Sequence, residues 1–240
     1  MKATDHKLPV EMSEFGDSEA LAAALADAVA KKLAAAINKS GGASLAVSGG
    51  STPKKFFDML SKTKIDWSKV TVTLVDDRMV PPDHERSNER LAYEHLLRNE
   101  AMKAKFVPLW SDASDHVDTL AQHASAAIGH IERPFDVVIL GMGTDGHTAS
   151  FFPEGNNLAE ATDPAAKTPV ISMLAAGAGE PRLTITLPRL IEADMLVLHI
   201  EGEEKRRVLD QAREGGPEED MPIRAVLQHA PRPVSVYWAP

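Results

Sequence analysis

Short apolar runs alternate along this chain with longer stretches in which apolar and polar positions recur at helical spacing. Residues 18–39 form the first such stretch and predict an amphipathic helix, with Ser18 as its cap and Gly41 as its stop. 'ASLAVS' (43–48) predicts a buried strand that runs through 'GGSTP' into a helix from about Pro53. 'KVTVTLVD' (69–76) is rich in β-branched residues and predicts the next strand. The polar loop 'DRMVPPDHERSN' follows, then a helix near 88–98, a short strand at 'FVPLW' and a helix over 114–131. 'FDVVILG' suits a strand buried on both faces. Later strands are expected at 169–173, 183–187, 194–200 and 233–238, and helices near 203–213 and 222–229.

This alternation predicts an α/β fold: a single domain over residues 1–240, with a mainly parallel, Rossmann-like sheet flanked by helices. No internal repeat is visible, and the loose patches at 153–168 and 214–220 are too small to mark a domain boundary. In such sheets ligands gather beyond the C-terminal strand ends. Four polar segments are expected there: 'SGGSTP', 'DDR', 'GMGTDGH' and the end of 'LHIEGEEK'.

Composition narrows the chemistry. The 240 residues include no cysteine, which excludes disulfides, zinc–thiolate sites and a thiol nucleophile. The N-terminus has no signal-peptide core, and charges at Asp27, Lys31 and Lys32 break the alanine-rich stretch, so no membrane span is expected. A net charge of −9 argues against nucleic-acid or anionic-membrane partners. It also means that an anionic small substrate needs local cations and aimed backbone amides. The histidines show no paired ligand spacing, so no structural or catalytic metal is expected.

The glycines of 'SGGSTP' let backbone approach a ligand closely, and Ser51 and Thr52 add hydroxyl donors. The Gly-Lys-Ser/Thr ending of a P-loop is absent. In 'VDDR', an Asp is a candidate base and Arg78 a candidate anion contact, or the segment is a surface ion pair and turn. 'GMGTDGH' matches G-x-G-x-x-G formally, but Pro153 leaves room for at most a short helix where a dinucleotide site requires a full one. Asp145 and His147 fit proton transfer better, since a carboxylate can hold a neighbouring imidazole in one tautomer. Arg182 and Lys205 are the remaining cations of interest. Lys205 falls near a helix start, where a cation opposes the helix dipole.

Taken in order, 'SGGSTP', 'VDDR' with 'ERSN', 'LGMGTDGHTASFFP', 'RLTITLP' and 'EGEEKRRVL' resemble the 6-phosphogluconolactonase family over most of the chain. That family is related to glucosamine-6-phosphate deaminases. The resemblance implies a cytoplasmic, cofactor-free hydrolase of 6-phospho-D-glucono-1,5-lactone in the pentose phosphate pathway, acting as a monomer or small homo-oligomer. It implies His147 as catalytic base and Asp145 as its partner. It further implies Gly49, Gly50, Ser51 and Thr52 as the phosphate loop, and Arg78, Arg182 and Lys205 as cations around the sugar phosphate. Ser87 and Asn88 match a Ser-Asn pair of the family. Family members often run a few residues beyond the last Trp, whereas this sequence ends 'YWAP'. The deaminase relatives read like 'DGHIAFNEP', with a glutamate where this chain has Phe152. A deaminase/isomerase-like enzyme and a non-catalytic sugar-phosphate sensor are the alternative readings.

Overall fold

The computed structural model describes residues 7–112 and 116–240. Its elements in chain order are β1 (Val10–Glu14), α1 (Ser18–Ser40), β2 (Ala43–Val47), α2 (Lys54–Leu60), β3 (Val70–Leu74), β4 (Asp76–Arg78), α3 (Asn88–His95), β5 (Lys105–Val107), α4 (Val117–Gly129), β6 (Val137–Leu140), α5 (Leu158–Ala161), β7 (Val170–Met173), β8 (Arg182–Ile185), α6 (Leu187–Ile191), β9 (Met195–Glu201), α7 (Glu203–Arg213), α8 (Ile223–His229) and β10 (Val234–Ala239). The start of the expected 114–131 helix lies partly outside the described residues.

Seven strands form one sheet in the order β1-β10-β9-β6-β2-β3-β5, with every neighbouring pair parallel. The inner strands β2 and β6 are buried at every position, as their unbroken apolar runs require. Chain order reverses between β2 and β6, and a crevice opens there beyond the strand ends. The buried face of α1, from Leu21 to Ile37, joins the same core as these strands.

Two expectations are corrected. The segments expected as strands at 169–173 and 183–187 do not join the parallel sheet. They form β7 and β8, which with β4 make a separate antiparallel sheet in the order β4-β8-β7. 'KVTVTLVD' is likewise two strands, because the chain leaves the parallel sheet at Val75 and Asp76 begins β4. One strand was not expected: β1 is half-exposed and carries only two apolar residues, Val10 and Met12, too few for periodicity to mark it.

The cap of α1 is also displaced by one residue. Asp17, not Ser18, has extended backbone, and its carboxylate accepts the Ala20 N–H at 2.8 Å. Gly41 ends the helix in the left-handed conformation, φ +85°, as expected. Asp17→Ala should lower the free energy of unfolding by about 1 kcal/mol, the usual cost of losing a side-chain cap. Urea denaturation would measure this, and an unchanged midpoint would show that the cap does not hold α1.

Candidate active site

The loop after β6 folds tightly around its glycines. The Gly143 N–H donates to the His147 carbonyl at 2.9 Å, and Gly146 turns with φ +80°. The Thr148 hydroxyl donates to the Gly141 carbonyl, and the Ile223 N–H at the start of α8 donates to the Gly146 carbonyl. A Cβ on Gly143 would collide with the His147 ring and the Asp145 carboxylate, so a larger residue there would displace both. No helix opens after Gly146; the first is the four-residue α5. The loop thus lacks the geometry of a dinucleotide fingerprint.

His147 Nδ1 lies 2.6 Å from Asp145 Oδ1. The same carboxylate oxygen accepts the His147 backbone N–H at 3.1 Å. Asp145 sits below the usual carboxylate range, chiefly because of the bond to the imidazole. With Nδ1 carrying the proton toward Asp145, the lone pair of Nε2 is left free. The Phe152 ring packs at 4.6 Å between centroids against the imidazole, and Phe152 is itself buried.

A cavity of about 320 Å³ opens beside His147. Gly49, Gly50, Ser51, Thr52, Arg78, Arg182 and Lys205 all line it, so these expected residues are brought together. Asp145 does not line it and lies behind the imidazole. The segments come from the C-terminal ends of β2, β6 and β9 and from the strand pair β4–β8. The Lys205 ammonium, three residues into α7, lies 3.4 Å from the Thr52 hydroxyl.

Arg78 and Arg182 are directly opposed in the β4–β8 register. Like charges so placed repel. Each guanidinium is therefore held by acceptors. Arg78 donates to the Asn88 side-chain oxygen at 2.6 Å and to the Arg86 carbonyl at 3.0 Å. Arg182 donates to the Ala178 carbonyl at 2.6 Å, stands over the Phe152 ring and faces Asp76 at 3.9 Å. Burial lowers the Arg182 pKa, with Asp76 acting in the opposite sense. A bound anion would relieve the remaining repulsion.

Ser87 and Asn88 acquire physical roles here. Ser87 caps α3 by accepting the Arg90 N–H. Asn88 donates to the Asp76 carbonyl at 2.9 Å while accepting from Arg78, and its side chain fills the space that a Cβ on Gly49 would need. The two acids of 'VDDR' diverge. Asp76 lines the cavity and accepts the Ser150 hydroxyl at 2.6 Å. Asp77 points away and accepts the N–H groups of Arg78, Asn88 and Glu89. Burial pushes Asp77 up to about 7 against the pull of those donors.

Sequence reasoning missed Arg86 and His199, both in the cavity wall. Arg86 precedes the Ser-Asn pair and meets Glu180 at 3.1 Å. His199 is among the histidines that lack metal-ligand spacing. Its signal was a polar residue in an otherwise apolar strand, near the end where ligands gather. Among the described residues no group of His, Asp and Glu could hold a metal ion, and no helix is long and apolar enough to cross a membrane.

Residues 16–238 match the family described as glucosamine-6-phosphate isomerases/6-phosphogluconolactonase. A 6-phosphogluconolactonase of Rhizobium meliloti (strain 1021) is 55% identical over 97% of this chain and 100% of its own. Another, from Mesorhizobium japonicum, is 54% identical over 94% of each. The crystal structure of a 6-phosphogluconolactonase from Shewanella baltica OS155 superposes with a TM-score of 0.94 at 40% identity, covering 98% of this chain and 100% of that one. The chain belongs to the glucosamine-6-phosphate isomerase/6-phosphogluconolactonase family.

Proposed function

We propose that this chain, acting as one domain in the cytoplasm and without a cofactor, hydrolyses 6-phospho-D-glucono-1,5-lactone to 6-phosphogluconate. The observation that carries the reading is the carboxylate-held imidazole of His147, open to a cavity that also gathers Arg78, Arg182 and Lys205. Such a cavity suits a neutral acyl centre at one place and an anionic group at another.

Hydrolysis of a lactone is acyl transfer to water. Nε2 of His147 takes a proton from water as its oxygen adds to C1. Asp145 fixes the ring and supports the imidazolium that forms. The tetrahedral intermediate then collapses by breaking the bond between C1 and the ring oxygen. The imidazolium returns its proton to that oxygen, which becomes the C5 hydroxyl. The oxyanion at C1 needs donors fixed in advance, which the glycine-loop amides or Arg78 supply. Arg182, Lys205 and the Gly49–Thr52 loop hold the phosphate, and that remote contact orients C1 toward the water. Phe152 keeps bulk water from the imidazole.

His147→Gln should lose roughly 10²–10⁴-fold in kcat, the usual contribution of a general base, while still binding 6-phosphogluconate. A continuous lactonase assay corrected for spontaneous hydrolysis reads this out, and near wild-type turnover would remove His147 from the mechanism.

Arg182→Ala and Lys205→Ala should raise KM for the phosphorylated lactone by about tenfold or more, with little effect on unphosphorylated gluconolactone. Equal losses on the two substrates would mean that neither cation holds the phosphate.

The deaminase reading is tested at Phe152. Phenylalanine exchanges no proton, so the ring-opening step that the glutamate serves in the deaminase relatives has no acid there. Ammonia release from glucosamine-6-phosphate should be negligible where lactone hydrolysis is fast. Robust deamination in a coupled ammonia assay would favour the alternative.

A further inference from the structure

Arg86 has no part in the mechanism above, although it stands in the cavity wall. It lies in the loop between β4 and α3, where its N–H donates to His84 Nδ1 at 3.2 Å. Its carbonyl accepts from the Arg78 guanidinium at 3.0 Å. Its side chain crosses to a second loop, between β7 and β8, and meets Glu180 Oε2 at 3.1 Å. That second loop holds the other opposed cation. The Ala178 carbonyl, two residues before Glu180, accepts from Arg182 at 2.6 Å, and Gly177 and Ala178 form part of the cavity wall. Between Ala178 and Glu180, Gly179 takes φ +75°, and the Arg86 guanidinium lies 3.4 Å from where its Cβ would stand. Glycine therefore lets the arginine lie close over the loop.

A continuous path runs from Arg78 through the Arg86 carbonyl, the Arg86 guanidinium, Glu180 and the Ala178 carbonyl to Arg182. The backbones at its two ends are already joined, because Arg78 faces Arg182 in the β4–β8 register and the Met79 N–H donates to the Pro181 carbonyl at 2.8 Å. That ladder fixes the strands but not the direction of two long, rotamer-rich side chains. Their direction is set by two carbonyls, and both carbonyls belong to loops. The ion pair ties those loops together. Glu180 Oε2 is shielded from water and receives no directed hydrogen bond, so the Arg86 charge beside it is its compensation.

We propose that the Arg86–Glu180 ion pair is a clasp between two loops of the cavity wall: it holds the Arg86 and Ala178 carbonyls in place and so sets the guanidiniums of Arg78 and Arg182 for one phosphate. This rests on the lactonase reading and assigns that site two positioning residues, which touch no reacting atom. Two other roles make different demands. An Arg86 that itself gripped the phosphate would not need Glu180. A Glu180 that merely competed with the substrate for the arginines would tighten phosphate binding when removed.

The test compares Arg86→Gln, Glu180→Gln and the double variant with the wild type. Binding of inorganic phosphate is measured by titration calorimetry, alongside kinetics on the phosphorylated lactone and on unphosphorylated gluconolactone. Each single variant should weaken phosphate binding and raise KM for the phosphorylated lactone by about 2–5-fold, the range of a partly exposed ion pair. Values of kcat and the gluconolactone kinetics should stay within about twofold. The double variant should lose no more than the worse single one, because either change alone opens the clasp. Thermal melts of each variant separate folding from binding. Unchanged or tighter phosphate binding in Glu180→Gln would overturn the proposal. So would additive losses in the double variant, or losses that follow the melting temperature and fall equally on both substrates. A wild-type chain without lactonase activity would instead defeat the functional reading, and the phosphate titration, which needs no turnover, would then decide the clasp by itself.

Discussion

The cavity depends on the divided loyalty of one buried peptide residue. The Val75 N–H donates to the Val47 carbonyl at the end of β2, and its own carbonyl accepts the N–H of Ile185, the last residue of β8. One side of the residue therefore belongs to the parallel sheet and the other to the antiparallel one. Val75 is fully buried, so both bonds must be made, since an unpaired buried backbone group is costly. From this joint Asp76 and Arg78 leave the parallel sheet and meet Arg182 across β8. Without it the cations of the second sheet would have no fixed distance from the glycine loop after β2 or the His147 loop after β6.

Around that joint the site is built from tethered pairs. Asp145 holds His147, and Asn88 holds Arg78 while packing over Gly49. Ala178 holds Arg182, and Phe152 lies between Arg182 and His147, touching both. Each tether spends little chain and leaves one polar face toward the cavity. The net charge of −9 makes such local arrangement necessary, because the field of the whole molecule opposes an anionic substrate.

Much of this was legible from sequence, for physical reasons. Buried parallel strands are continuous apolar runs, so β2, β3, β6 and β9 stood out, and their polar ends marked where a ligand would sit. The loop glycines were visible because only glycine tolerates the contact at Gly143. What stayed hidden depends on partners distant in sequence. Nothing local distinguishes β7 and β8 from strands of the parallel sheet, since direction is set by β4. Asp76 and Asp77 are adjacent and identical, yet one faces the cavity and the other caps α3. The role of Asn88 appears only once Arg78, Asp76 and Gly49 surround it.

The strand order also bears on how the chain is made. β1 pairs with β10 alone, and β10 lies between β1 and β9. On the ribosome, β1 emerges well before its partner β10 and must wait for it. At roughly 5–20 residues per second that interval is on the order of ten seconds or more. Throughout it β1 has no neighbour, and β9, once made, presents an open edge able to pair with another chain. The half-exposed, mixed character of β1 makes that wait safer, because a strand with little apolar surface is a poor seed for aggregation. The feature that hid β1 from sequence reading therefore protects the nascent protein.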